Sequence, residues 1–224
     1  MWQELLLVAG GCDGGEDWLL IDKVIVGPLQ TNCYVVACSE TMEGVIIDPG
    51  DEPSRIAAVV NYHGVKVKAL IATHGHFDHV MAVEKLKELY NAPFLVGRLE
   101  EEIVRHAKHQ ALFFGFIASS VPQPDALLDD GQEVEVGKLK LCVMSAPGHS
   151  PGHIALLVGE HIFSGDILFE NGVGRTDFPG GSYADLVRTI KERIFNLPPD
   201  TLIHPGHGRE FTVAEARLMF SRLL

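Results

Sequence analysis

Four side chains of the kind that bind transition metals, His74, His76, Asp78 and His79, fall within six consecutive positions directly behind the stretch 67–72, which is apolar except for Lys68. A run of that composition belongs to strands buried on both faces, which need a covering layer on each side. The chain must therefore place this strand inside a layered body and bring its C-terminal end to a polar cluster. Residues two apart in extended backbone point the same way, so His74 and His76 converge, whereas Asp78 and His79 face elsewhere once the chain turns into a helix. Two neighbouring cation sites follow.

Around this segment, β-branched stretches at 23–26, 32–37 and 45–47 read as strands, the last ending on the turn Asp48-Pro49-Gly50. Helical spacing marks 53–62. A further helix is expected over about 79–90, leading through Asn91-Ala92-Pro93 into a short strand at 94–96. Two hairpins are expected, one from 133–136 and 139–145 about Gly137-Lys138, the other from 154–158 and 161–164 about Gly159-Glu160. Ser182-Tyr183-Ala184-Asp185 and Thr212-Val213-Ala214-Glu215 match the capping box and open helices. Hairpins are too many for a purely parallel sheet, so the chain reads as mixed α and β, with two sheets face to face and helices outside. Residues 1–20, Gly-rich and without a period, are set aside as a variable leader, and 21–224 as one domain.

Thirty Asp and Glu against eighteen Lys and Arg give a formal charge of -12, which repels phosphate backbones and anionic bilayers. Neither a nucleic acid nor a membrane is an expected partner, and no stretch of about 18 uninterrupted apolar residues offers a span. The run 5–9 is short and follows Glu4, with no Lys or Arg ahead of Lys23, which argues against an export signal. Cys12, Cys33, Cys38 and Cys142 form no Cys-x-x-Cys pair, so reduced thiols in a cytoplasm are expected. Homo-oligomerisation is left open.

Three later loops pair a glycine with a potential ligand: Ala146-Pro147-Gly148-His149, Ser164-Gly165-Asp166 and His204-Pro205-Gly206-His207-Gly208. Singly, each is a polar turn. Together they complete a donor set of imidazole and carboxylate without thiolate, which suits an open catalytic site for zinc, iron or manganese better than a closed structural zinc site.

With these residues the chain resembles the metallo-β-lactamase superfamily, whose motif is H-x-H-x-D-H followed by a distant His, Asp and His. The resemblance spans roughly residues 23 to 215. It implies an α+β fold, a four-layer αββα sandwich with the metals at one edge of the two sheets. It further implies that His74, His76 and His149 hold one divalent ion, that Asp78, His79 and His207 hold a second, and that Asp166 bridges them. Ser164-Gly165-Asp166-Ile167-Leu168-Phe169, Gly174-Arg175-Thr176-Asp177-Phe178-Pro179-Gly180-Gly181 and Pro205-Gly206-His207-Gly208 look like the glyoxalase II-like, hydroxyacylglutathione hydrolase branch.

That branch implies a hydrolase with two divalent ions, zinc before iron or manganese, and a bridging hydroxide that attacks the thioester of a small acylthiol. Asp78 is expected to double as ligand and orienting carboxylate. Glyoxalase II proper carries a C-terminal helical domain for glutathione, whereas only residues 208–224 follow the last ligand here, so the thiol is left open. The alternative is a persulfide dioxygenase-like oxidoreductase with one iron on His79, or in preference His74, together with His149 and Asp166.

Arg175 is the candidate grip for an anionic substrate group, because its fork suits carboxylates; an internal pair with Asp177 is the competing reading. His153 either donates a hydrogen bond that fixes a ligand or is structural. His63, His106, His109, His161 and His204 read as surface or satisfied residues. The apolar stretch 111–117 is assigned to core packing ahead of a pocket wall or a subunit contact.

Overall fold

The computed structural model describes residues 7–9, 18–117 and 121–220. The chain opens with β1 (Leu7–Ala9), β2 (Leu19–Val26), β3 (Thr31–Cys38), β4 (Glu43–Ile47), α1 (Pro53–His63), β5 (Lys66–Ala72), α2 (Phe77–Val80) and α3 (Val83–Tyr90). It continues with β6 (Phe94–Gly97), α4 (Glu101–Phe113), β7 (Ala126–Leu128), β8 (Gln132–Val136), β9 (Leu139–Ser145), β10 (Ile154–Val158) and β11 (His161–Gly165). Last come β12 (Leu168–Phe169), β13 (Gly172–Val173), α5 (Tyr183–Thr189), β14 (Leu202–Pro205), β15 (Phe211–Thr212) and α6 (Val213–Phe220). Strands β2-β3-β4-β5-β6-β7 form one sheet and β1-β8-β9-β10-β11-β14-β15 the other.

Period-2 alternation explains the layering, since successive residues of a strand face opposite sides of its sheet. In β3, Tyr34 and Val36 join Val45 and Ile47 of β4, Leu141 and Val143 of β9, and Leu156 and Phe163 in the core between the sheets. Their neighbours Val35, Ile46 and Leu70 face outward, against Ile56 and Val60 of α1, Leu86 of α3 and Val104 and Ala107 of α4. On the far side, Met144, Ala155 and Ile162 pack under Leu186 of α5 and Ala216 and Phe220 of α6. The result is the expected αββα sandwich.

Several boundaries differ from expectation. The first long strand begins at Leu19 rather than 23, and β1 pairs antiparallel with β8, so part of the expected leader is strand; the rest of 1–17 lies outside the described residues. β5 is buried on both faces only from Ala69 onward, because Lys66 and Lys68 are exposed. The single helix expected over 79–90 is split at Met81 and Ala82, where the Ala82 amide donates to the Pro49 carbonyl at 3.0 Å. That capture brings the 48–50 turn hard against α2: a Cβ at Gly50 would lie 1.7 Å from the Asp78 carbonyl oxygen, so only glycine fits. The capping box at 212–215 forms in full, Thr212 and Glu215 exchanging bonds, whereas that at 182–185 forms by half: the Ser182 hydroxyl accepts from the Asp185 amide, but the Ser182 amide donates to the Gly148 carbonyl.

Cys33 and Cys38 are free and buried, whereas Cys142 is disulfide-bonded, so the expectation of reduced thiols throughout does not hold. Among the described residues no helix is long and apolar enough to cross a membrane.

Candidate metal centre

The C-terminal ends of β4 and β5 in one sheet and of β9, β11 and β14 in the other carry the loops that meet at one edge of the sandwich. A backbone bond from the Ile154 amide to the Thr73 carbonyl (2.9 Å) and one from the Asn32 amide to the Gly206 carbonyl (2.7 Å) join the sheets there. Every one of the seven expected donors comes to this edge. Donor atoms of His74, His76 and His149 cluster, as do those of Asp78, His79 and His207, each set lying within 4.8 Å of one another; Asp166 groups with His74 and His79. Asp166 also reaches across, with Oδ1 3.5 Å from His79 Nε2 and Oδ2 3.7 Å from both His149 Nε2 and His207 Nε2.

The histidines are oriented from behind. His149 Nδ1 donates to the Arg175 carbonyl at 2.7 Å, and His207 Nδ1 to the Leu29 carbonyl at 3.0 Å. His79 Nδ1 lies 3.1 Å from Asp48 Oδ2. His74 Nδ1 is 3.1 Å from the Thr73 hydroxyl, which itself donates to Asp48 at 2.9 Å and so accepts from the ring. An oxygen facing Nδ1 orients each ring and turns Nε2 toward the centre, the arrangement that tunes metal-bound imidazoles. His76 presents Nδ1 instead, 2.8 Å from His149 Nε2.

Charge divides the two sets. Burial, then the neighbouring imidazole His79, pushes His74 well below the ordinary histidine range, and burial with His149 takes His76 down to about 3. Burial likewise lowers His149, although Asp166 opposes it. Burial would lower His79 too, but the carboxylates of Asp78, Asp48 and Asp166 outweigh it and raise the ring to about 10. His207 is raised in the same way by Asp78 and Asp166 against burial, and Asp78 is lowered by His79 and His207 against its own burial. A neutral imidazole triad thus adjoins an acid-rich trio that holds protons.

His74 Nε2, His79 Nε2 and Asp166 Oδ1 are buried with no hydrogen-bond partner. Buried polar atoms without a partner are uncommon, and these three belong to side chains whose donor atoms converge, as around a bound ion. The donor chemistry fits two divalent ions of the zinc, iron or manganese type.

Other residues became visible only in three dimensions. Asp48, read from sequence as a turn, accepts from the Thr73 amide at 2.7 Å besides holding His79. Glu100, fully buried, accepts from the Gly75 amide at 2.8 Å and the Gly152 amide at 2.7 Å, tying the loop of His74 and His76 to that of His149. Thr31 donates to Asp78 Oδ2 at 3.0 Å. Nothing local separates Glu100 from Glu101 and Glu102, or Asp48 from any Asp-Pro-Gly turn.

His153 does touch a ligand, but as acceptor rather than donor: the Asp166 amide donates to its Nε2 at 3.2 Å, and its ring stacks on His74. His63 pairs with Asp22, and His161 with the buried His204. His106 and His109 are exposed on α4.

A cavity of about 350 Å³ opens over the centre, walled by Leu29, Phe77, Phe114, Phe169, Arg175 and Phe178 among others. The Arg175 fork is engaged by Asp177, at 2.9 and 2.7 Å, while its guanidinium lies over Phe178. The core-packing expectation for 111–117 holds only for Ala111 and Phe116, which pack on the core; Leu112, Phe113, Phe114 and Ile117 are exposed, because α4 packs through Val104, Ala107 and Ala111 on its other side.

A four-layer αββα sandwich with a His- and Asp-lined cavity at the edge of its sheets defines the metallo-hydrolase class. The sequence profile of the metallo-beta-lactamase superfamily matches residues 26–207, and the chain belongs to that superfamily. It is 34% identical over 206 residues to the hydroxyacylglutathione hydrolase GloC of Haemophilus influenzae, covering 88% of this chain and 94% of that one. It is 31% identical over 219 residues to the human mitochondrial persulfide dioxygenase ETHE1, covering 94% and 78%. Among solved structures, TTHA1623 in a di-iron-bound form superposes with a TM-score of 0.80 at 38% identity, covering 90% and 97%, and the BLEG-1 B3 metallo-beta-lactamase with 0.82 at 29%, covering 88% and 96%.

Proposed function

We propose that this chain is a thioester hydrolase of the hydroxyacylglutathione type, with one divalent ion on His74, His76 and His149, a second on Asp78, His79 and His207, and Asp166 between them. The observation that carries the reading is the pair of adjacent donor sets with Asp166 Oδ2 equidistant, 3.7 Å, from an imidazole of each. Likeness to GloC over nearly the full length of both chains supports the choice of substrate class. When bound, two such ions lower the pKa of water toward neutrality and polarise a carbonyl. The chain's own part is to orient: Thr31 pins one Asp78 oxygen, which leaves Asp78 placed to align the attacking water, and a thiolate leaves without needing a strong general acid.

Metal-loaded protein should release thiol from S-lactoylglutathione or other small acylthiols. No cleavage of any acylthiol at full metal content overturns the reading. Asp166→Ala and His76→Ala should each abolish turnover, a loss of at least about a thousandfold, and lower the metal content; unchanged turnover in both refutes the ligand assignment.

A second reading, a persulfide dioxygenase with a single iron on His74, His149 and Asp166, draws support from the likeness to human ETHE1. Elemental analysis separates the two: two ions per chain favour hydrolysis, and one iron with oxygen uptake on glutathione persulfide favours oxygenation.

A further inference from the structure

A second cavity, about 710 Å³, shares His76, Gln110, Phe114 and Phe178 with the cavity over the metal centre and runs away from it along α4. Its walls are mostly apolar, through Leu99, Ile103, Phe113, Phe114, Phe178 and Pro179, with Glu102, His106, His109 and Gln110 along them. Leu99 and Phe113 are 64% and 85% exposed, a heavy apolar display for side chains beside a buried polar site. The volume is that of a small-molecule site rather than a packing defect. Among the residues lining the two cavities, the sole Lys or Arg is Arg175, and Asp177 occupies its fork.

We infer that this groove seats an extended apolar acyl chain, so that the acyl thioesters this site takes include ones whose acyl group carries a hydrocarbon chain. The inference rests on the thioester reading and adds the acyl class to it. A carbonyl held over His76 and Asp166 has two arms, and the groove begins at His76, so one arm enters it. The polar side chains along it are few and partly engaged, Glu102 by Arg105 and His106 by the Glu102 carbonyl, so a charged or amide-rich thiol would lie mostly against apolar wall, which assigns the groove to the acyl arm.

The test uses metal-loaded full chain with N-acetylcysteamine thioesters from acetyl to octanoyl, a series in which the thiol is constant. Each methylene seated in the groove should raise kcat/KM by up to about threefold, with octanoyl over acetyl at least about tenfold. In Ile103→Ser and Phe113→Ser that ratio should fall toward one. Equal or falling kcat/KM along the series overturns the groove assignment and leaves thioester hydrolysis standing. If no thioester is cleaved, the hydrolase reading falls and calorimetry with S-octyl and S-ethyl N-acetylcysteamine thioethers decides the groove. Tighter binding of the octyl compound, lost in Phe113→Ser, sustains it, and equal binding ends it.

Discussion

Asp48 is the residue on which the deepest part of the site turns. One of its oxygens accepts from the Thr73 amide, and the other lies 3.1 Å from His79 Nδ1 and accepts from the Thr73 hydroxyl, whose own oxygen faces His74. A single carboxylate thereby orients two rings that belong to different donor sets. Asp48→Ala should lower metal affinity about tenfold to a hundredfold without deleting a ligand, as read by competition with a chromophoric chelator; an unchanged affinity would show that packing alone orients the rings. The seven donors were legible in the sequence because His and Asp at that density, repeated behind glycines, have few other uses. Asp48 was not, because its role depends on β4 lying parallel beside β5, a pairing that joins residues 25 apart and leaves no local trace. Arg175 stands between: its pair with Asp177 was one of two readings, and its place on the cavity wall needed the fold.

At the scale of elements, β3, β4, β9 and β10 were readable as apolar, β-branched runs because each strand separates two apolar cores, and the hairpins followed from their glycine turns. Where a distant backbone group intervenes, local pattern failed. The helix over 79–90 breaks because Pro49, brought in by β4, takes the Ala82 amide, and most of 111–117 surfaces because α4 turns its other side to the core. Glu100 shows how such an intervention serves the site. It enters α4 from the preceding turn and clamps two loops that the sheets only bring near each other. Glu100→Gln keeps the shape but turns an amide N–H toward one of the two backbone N–H groups, leaving it buried and unpaired. The expected cost is about 1–3 kcal/mol in denaturant unfolding of the metal-free protein, with looser binding at the triad of His74, His76 and His149. A wild-type unfolding midpoint and metal content would show that the clamp is dispensable.

The whole molecule is divided by its metal centre in a way that couples binding to protons. The six-stranded sheet leads into His74, His76, Asp78 and His79, and the seven-stranded sheet supplies His149, Asp166 and His207, so bound ions cross-link the sheets where their common core ends. Ligands that bind the folded chain alone stabilise it by mass action, so chelation should lower Tm and added metal restore it. The pH dependence follows from the unequal charge of the two donor sets. His74, His76 and His149 are held below their ordinary range and are already neutral at pH 7, so an ion entering there displaces no proton from them. His79 is raised to about 10 and His207 is raised as well, so an ion at the second set must expel the His79 proton. In the metal-free chain the His79 contribution is fully present below its unfolded value near 6.5 and is lost as pH climbs through about 10. The metal-free protein should therefore lose stability over that window while affinity for the second ion rises about tenfold per pH unit. Titration at pH 8 in buffers of differing ionisation enthalpy should show one ion binding with little buffer dependence and a second releasing about one proton or more. Two ions with identical, proton-free heats would mean that His79 does not hold its proton against the three carboxylates.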